Sequence, residues 1–202
     1  LHYNFFKSQN DSKQLLVMLH GFISDSTTYD SHIEQLRQHV NVLTIDLPGH
    51  GKDTSDMNDT WDFPYIAHAL DEVLSQYDMY DVYLLGYSMG GRVALYYALN
   101  GSVALRGLLL ESTSAGIQSE ADKVERVQVD AARAKVLEIA GLEIFVNDWE
   151  KLPLFRSQYE LDAEVRKAIR ANRMSQNPVR LAKALRDYGT GNMPNLWPQV
   201  SS

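Results

Sequence analysis

Cysteine is absent from the 202 residues, which removes disulfides, thiolate zinc sites and a cysteine nucleophile together. Long apolar runs are absent too: stretches such as "LLVML" are far too short to span a bilayer. The opening "LHYNFFKSQND" has neither a basic n-region nor an apolar h-region, so no signal peptide is expected and the cytoplasm is the default location. Positive charge is in deficit. Lys and Arg number 19 against 26 Asp and Glu, for a formal net charge of −7, and this argues against nucleic acid or an anionic membrane as partner. An anionic small molecule stays open, provided that arginines are placed locally to meet it. Histidine is confined to the front of the chain, at His2, His20, His32, His39, His50 and His68.

What is present is an ordinary globular composition, 45% apolar and 22% charged, in a chain long enough for one domain with an insertion. "LHYNFF" reads as an edge strand. "LLVMLHG", "VNVLTIDLPGHG", "VYLLG" and "LRGLLLES" are short apolar runs of strand length, as expected for strands buried on both faces. Helical spacing separates them, in "DSTTYDSHIEQLRQ", "FPYIAHALDEVLSQY" and "GGRVALYYALN". The alternation predicts an α/β fold with a mostly parallel sheet. After Ser114 only helical segments follow, from Gln118 to Tyr188. The expected organisation is an α/β core over residues 1–115, a helical cap over 116–190 above the C-terminal edge of the sheet where ligands bind, and a return to the core over 191–202.

Within this frame "GYSMG" places Ser88 between Gly86 and Gly90. G-x-S-x-G is a weak pattern alone, because glycine and serine are common in loops. Here a buried strand comes directly before it and a helix directly after, the geometry that a nucleophile elbow needs. Side chains at the two glycines would collide with the neighbouring strand and helix. The serine is then presented at a helix N-terminus, where free N–H groups favour negative charge; the alternative is a solvated turn serine. "LHGF", at the end of the first buried strand, would let the Phe22 N–H join that of Met89 in an oxyanion hole. Serine needs a histidine to take its proton, and in this type of site the acid and histidine follow the serine. None follows here. Glu111, at a strand end, is one candidate acid, otherwise a plain strand-end carboxylate. His20 and His50 lack the usual approach to the serine hydroxyl, and His20 reads better as a satisfied loop histidine.

These features resemble the α/β-hydrolase superfamily from about Leu15 to Ser114. Arg92 narrows the resemblance: an arginine one turn past the serine is costly unless exposed or paired with an anion, its alternative role being a salt bridge to a loop carboxylate. With "ESTSAGI", "ERVQVDAARA", "FVNDWEKLPLF" and "NRMSQNPVRLAKALRDYGTGNMPNLWP", the chain is similar to the 2-succinyl-6-hydroxy-2,4-cyclohexadiene-1-carboxylate synthases of menaquinone biosynthesis, almost to its end. That family continues into strands bearing an Asp and a His, so the resemblance implies a C-terminally truncated chain whose last core strands are missing, inactive as it stands. It also implies a lyase whose serine, deprotonated by histidine, acts as base while the oxyanion hole holds charge on a substrate carboxyl oxygen. Ser88 matches the catalytic serine. Arg92, Arg126 and Arg173 match the carboxylate-binding arginines, and Tyr87 and Trp149 match pocket residues. Arg173 lies one turn past Ile169 and is expected to point inward, whereas Arg166, Arg170, Arg180 and Arg186 are expected on a solvated face. The implied partner is a small polycarboxylate; no metal or organic cofactor is implied. An esterase or C–C bond hydrolase with the same elbow, and a non-catalytic anion-binding protein, remain as alternatives.

Overall fold

In the computed structural model, which describes residues 1–201, five strands form one sheet in the order β1-β3-β2-β4-β5. The strands are β1 His2–Phe6, β2 Gln14–Leu19, β3 Asn41–Asp46, β4 Asp81–Tyr87 and β5 Gly107–Glu111. β1 runs antiparallel to β3, and every other pairing is parallel. The parallel pairs need crossovers, which α1 (Asp30–Arg37), α2 (Phe63–Leu74) and α3 (Met89–Asn100) supply. The period of two along β2 divides the core. Leu15, Val17 and Leu19 pack with α2 and α3 in the main cluster, while Leu16 and Met18 face Ile33 and Leu36 of α1.

Local chemistry sets the helix starts. The Asp62 carboxylate accepts the Tyr65 N–H at the head of α2, with Pro64 in its first turn. The expected single helix over "DSTTYDSHIEQLRQ" is instead a 3-10 turn at Ser26–Tyr29 followed by α1. Asp25 caps the turn through the Thr27 N–H, and the tighter winding sets its residues under the end of β3, where Asp46 accepts the Ser26 N–H at 2.7 Å.

Beyond β5 lie α4 (Glu120–Ile139), α5 (Leu142–Trp149), a 3-10 stretch at Pro153–Glu160 that periodicity does not reveal, α6 (Ala163–Met174) and α7 (Pro178–Tyr188). Their shared apolar cluster, with Ala134, Leu137, Phe145, Val146, Leu181 and Leu185, closes on Ile23 in the loop after β2. The chain then returns to the sheet through a short α8 (Trp197–Val200): the Leu196 N–H donates to Ala115 O, and Trp197 Nε1 to Gly116 O, both at 2.8 Å. Among the described residues β1 and β5 are the two edges of the sheet, and Leu109 and Leu110 on β5 are 47% and 43% exposed.

Candidate active site

Ser88 stands between β4 and α3 with φ 52° and ψ −112°, a conformation that side chains other than glycine rarely adopt. Three hydrogen bonds hold its backbone there, one of them the first turn of α3, in which the Arg92 N–H donates to the Ser88 carbonyl at 3.0 Å. Its N–H donates to Glu111 O at 2.9 Å, and Thr113 Oγ1 donates to its carbonyl at 2.8 Å. The flanking glycines are required by space. A Cβ on Gly86 would lie 2.3 Å from Gly90 O, and one on Gly90 would lie 2.4 Å from the carbonyl oxygens of both Leu19 and His20. Strand and helix therefore meet backbone to backbone, and the serine is the first side chain that fits. Its hydroxyl makes no hydrogen bond among the described residues.

Ser88 opens onto a cavity of about 1050 Å³ under α4–α7. The sequence-predicted residues Phe22, Tyr87, Met89, Arg92, Arg126, Trp149 and Arg173 all line it, as does Glu111. The Phe22 and Met89 N–H groups carry no hydrogen bond among the described residues, so both remain available to an oxyanion.

The arginines differ in how they are held. Arg92, on the first turn of α3, makes no ion pair and no hydrogen bond among the described residues, and its Nε is buried. Burial, and then the charge of Arg126, push its pKa down to about 10. Arg126 Nε meets Asp130 Oδ1 at 3.3 Å. Arg173 is buried, as its helical register predicts, but is not free: Glu150 lies 3.5 Å from it, Gln158 3.2 Å, and the Phe155 ring centroid 4.9 Å. Burial lowers its pKa against the opposing pull of Glu150. Sequence reasoning missed Arg133, which also lines the cavity, 3.5 Å from Asp130 Oδ1 and 5.4 Å from the Trp149 ring centroid. The spacing 126–130–133 on one helix face was the signal available. Among the arginines assigned to a solvated face, Arg180 departs from expectation. It is largely buried against Trp61 and pairs with the fully buried Asp53 at 3.0 Å, because that loop carboxylate has no water to solvate it. Arg170 pairs with Glu150, and Arg186 with Glu138.

Both candidate replacement histidines are occupied. Each is fully buried, with Nδ1–H donating to a backbone carbonyl (His20 to Gly21 at 2.8 Å, His50 to Pro48 at 3.0 Å). Each Nε2 accepts a backbone N–H, from Leu47 at 2.9 Å and from Ile23 at 3.1 Å. Burial lowers the pKa of both, that of His50 to about 3. They are neutral struts between the β2 and β3 loops. None of the six histidines hydrogen-bonds Ser88. No group of three or more His, Asp or Glu able to hold a metal ion occurs among the described residues.

The Alpha/beta hydrolase family model matches residues 16–200. The 2-succinyl-6-hydroxy-2,4-cyclohexadiene-1-carboxylate synthase of Salmonella agona (strain SL483) is 35% identical over 181 residues, which are 90% of this chain and 69% of that protein. The protein of the same name from Escherichia coli O139:H28 is 31% identical over 187 residues, 93% of this chain and 72% of its own length. Among solved structures, that of MenH from S. aureus superimposes with a TM-score of 0.97 at 59% identity, covering 98% of this chain and 75% of the other. A thermophilic esterase from Thermogutta terrifontis, at 23% identity and a TM-score of 0.80, shares the fold.

Proposed function

The chain belongs to the α/β-hydrolase family and, within it, to the 2-succinyl-6-hydroxy-2,4-cyclohexadiene-1-carboxylate synthases, and from that membership we propose how its cavity serves a carbon–oxygen lyase of menaquinone biosynthesis. The reaction eliminates pyruvate from 2-succinyl-5-enolpyruvyl-6-hydroxy-3-cyclohexene-1-carboxylate. A base removes the proton on ring carbon 2, the ring double bond shifts to give the 2,4-diene, and the bond from ring carbon 5 to the enolpyruvyl oxygen breaks. Ser88 is the base once a histidine has taken its own proton. The Phe22 and Met89 N–H groups receive the negative charge that develops on the substrate oxygen. Arg92, Arg126 and Arg173 hold its carboxylates, with Tyr87 and Trp149 as pocket walls.

The observation that carries this reading is Arg92. A guanidinium with no ion pair or hydrogen bond among the described residues, one helical turn from the serine and inside the cavity, has only the more distant Asp130 carboxylate to offset its burial and gains from an anion that completes it. An ester hydrolase for neutral substrates has no use for it. The histidines of this sequence do not serve Ser88, so the chain by itself is proposed to bind the substrate without turning it over. Pyruvate release is measured from the succinyl-cyclohexene substrate by the 202-residue chain and by the same chain joined to the remaining C-terminal segment of S. aureus MenH. The expected difference is about 10⁴-fold or more, the size of effect seen when members of a catalytic triad are removed. Turnover by the short chain within tenfold of the joined one overturns the assignment of His20 and His50 as struts. Absence of pyruvate release by both overturns the lyase reading.

A further inference from the structure

Arg166 and Arg170, expected on a solvated face, border a second recess of about 310 Å³ between α6 and the 3-10 stretch at Pro153–Glu160. Phe155, Gln158, Ile169 and Arg173 line both this recess and the Ser88 cavity, and so form the wall between the two. Tyr159, Arg166 and Arg170 face the recess alone. Its volume is at the lower end of the range for small-molecule sites.

The recess combines an apolar floor with cations. Tyr159, Ile169 and Ala163 supply the floor. Arg166, Arg170 and Arg173 follow one another at helical spacing on one face of α6, and like charges at that spacing repel. This is a concentration of positive charge in a chain whose net charge is −7. Among the described lining residues one carboxylate answers it. Glu150 gives Oε2 to Arg170 at 2.9 Å and Oε1 to Arg173 at 3.5 Å, so both of its oxygens are occupied. Lys167, also on the lining, pairs with Glu164 at 3.3 Å. Arg166 is left over. Its guanidinium makes no ion pair and no hydrogen bond among the described residues, and it stands 5.6 Å from the Tyr159 ring centroid. That ring is itself held, because the Tyr159 hydroxyl donates to Glu150 O at 2.9 Å. An aromatic face against a guanidinium orients it and leaves its N–H edge free to donate. Arg166 is exposed, so a ligand in the recess reaches it directly.

We propose that this recess is a second ligand site, separate from the Ser88 cavity, which takes a flat apolar monocarboxylate: the ring lies on Tyr159, Ile169 and Ala163, and the carboxylate accepts from the guanidinium edge of Arg166. A single carboxylate fits because a single guanidinium is unpaired. A polyanion would have to draw Arg170 and Arg173 away from Glu150. The apolar floor selects against a small hydrated anion such as phosphate, which has no surface to bury there. This site does not rest on the lyase reading, since none of the groups that make it touches Ser88.

The test titrates cinnamate into the isotopically labelled 202-residue chain and follows the backbone amides by NMR, which reads affinity and place together. A ligand of this size is expected to bind with a Kd of about 0.1–3 mM, and the amides of Ala163, Arg166 and Lys167 should move while those of Ser88 and Met89 stay. Cinnamamide, with the same ring and no charge, should bind at least about fivefold more weakly. Arg166→Gln removes an exposed, unpaired side chain, leaves the fold intact, and should raise the Kd of cinnamate roughly three- to tenfold. Ala163→Trp fills the recess from the exposed start of α6 and should raise it at least about tenfold. Absence of shifts on α6, equal binding of acid and amide, or a Kd within about twofold of the unaltered chain in both variants overturns the proposal. Shifts centred on Ser88 and Met89 that survive Ala163→Trp also overturn it, and assign the probe to the Ser88 cavity.

Discussion

Replacing Arg92 by Met should make the protein more stable and a worse binder at once. Methionine keeps an unbranched side chain of similar reach on α3 and removes the charge. Nothing is unpaired by the change, because Arg92 makes no ion pair and no hydrogen bond among the described residues. What disappears is a desolvated donor, for which about 1–3 kcal/mol is the usual cost, together with repulsion from Arg126, which outweighs the attraction of Asp130. In a chain of this size that corresponds to a rise in Tm of roughly 2–12 °C. The sign against pH follows from the direction of the shift. Burial lowers the pKa of Arg92 to about 10, so the folded state holds the charged form at a disadvantage. The penalty is fully present at neutral pH, where the group is charged in both states, and it fades as pH rises through 10. Binding moves the other way. Loss of a charge-assisted contact should raise the Kd for a tricarboxylate roughly 10- to 100-fold. Thermal unfolding at pH 7 with and without saturating tricarboxylate reads both effects. The variant melts higher without ligand, and the order narrows or reverses with it. A lower Tm for Arg92→Met without ligand, combined with an unchanged ligand-induced shift, would show that Arg92 is a structural residue and refute the reasoning.

Ser88→Gly should raise stability by about 1 kcal/mol, read as a higher denaturant midpoint, because φ 52° costs glycine nothing; an unchanged or lower midpoint counts against strain at the elbow. Gly90→Ala should destabilise by about 3 kcal/mol, since its Cβ would meet two carbonyl oxygens at 2.4 Å that belong to backbone and cannot rotate away; a well-folded variant with unchanged Tm contradicts the close approach. The pKa of His50 is lowered to about 3 by burial and the neighbouring His20, so its neutral form contributes stability that is complete above the unfolded value near 6.5 and is lost as pH falls toward 3. Unfolding free energy measured from pH 7 to pH 4 should therefore decline, and less steeply in His50→Gln; parallel curves would show that His50 takes no part.

Much of this architecture is legible in the sequence because its signals are local. The apolar runs, the Asp62–Pro64 helix start and the glycines around Ser88 each state their own geometry. The inward direction of Arg173 follows from one helical turn of register. What is not legible depends on partners distant in sequence. Arg180 reads as a surface cation until Asp53 is seen beside it, 127 positions earlier in the chain. The pairing of His20 with Leu47 and of His50 with Ile23 is likewise a matter of two loops meeting, and no motif announces it. Asp130 was hidden among exposed charges on α4, where only its buried position distinguishes it from Glu125 or Asp122.

The elbow and the arginine cavity share one dependence on the edge strand. Ser88 is held on one side by close packing of Gly90 against the end of β2, and on the other by its N–H bond to Glu111 O at the end of β5. The first restraint lies in the core. The second lies on a strand whose Leu109 and Leu110 are substantially exposed and whose outer backbone groups meet no further strand among the described residues. An edge of this kind frays more readily than a central strand. Fraying there would release the Ser88 N–H, and with it the strained φ that only the surrounding structure enforces. Arg92 follows on the same helix, so the serine and the arginine would lose their mutual register together. Hydrogen exchange at Ser88 should therefore track exchange at the β5 amides rather than at the core of β2, and a Ser88 amide as protected as those of Val17 and Leu19 would place the restraint in the core alone.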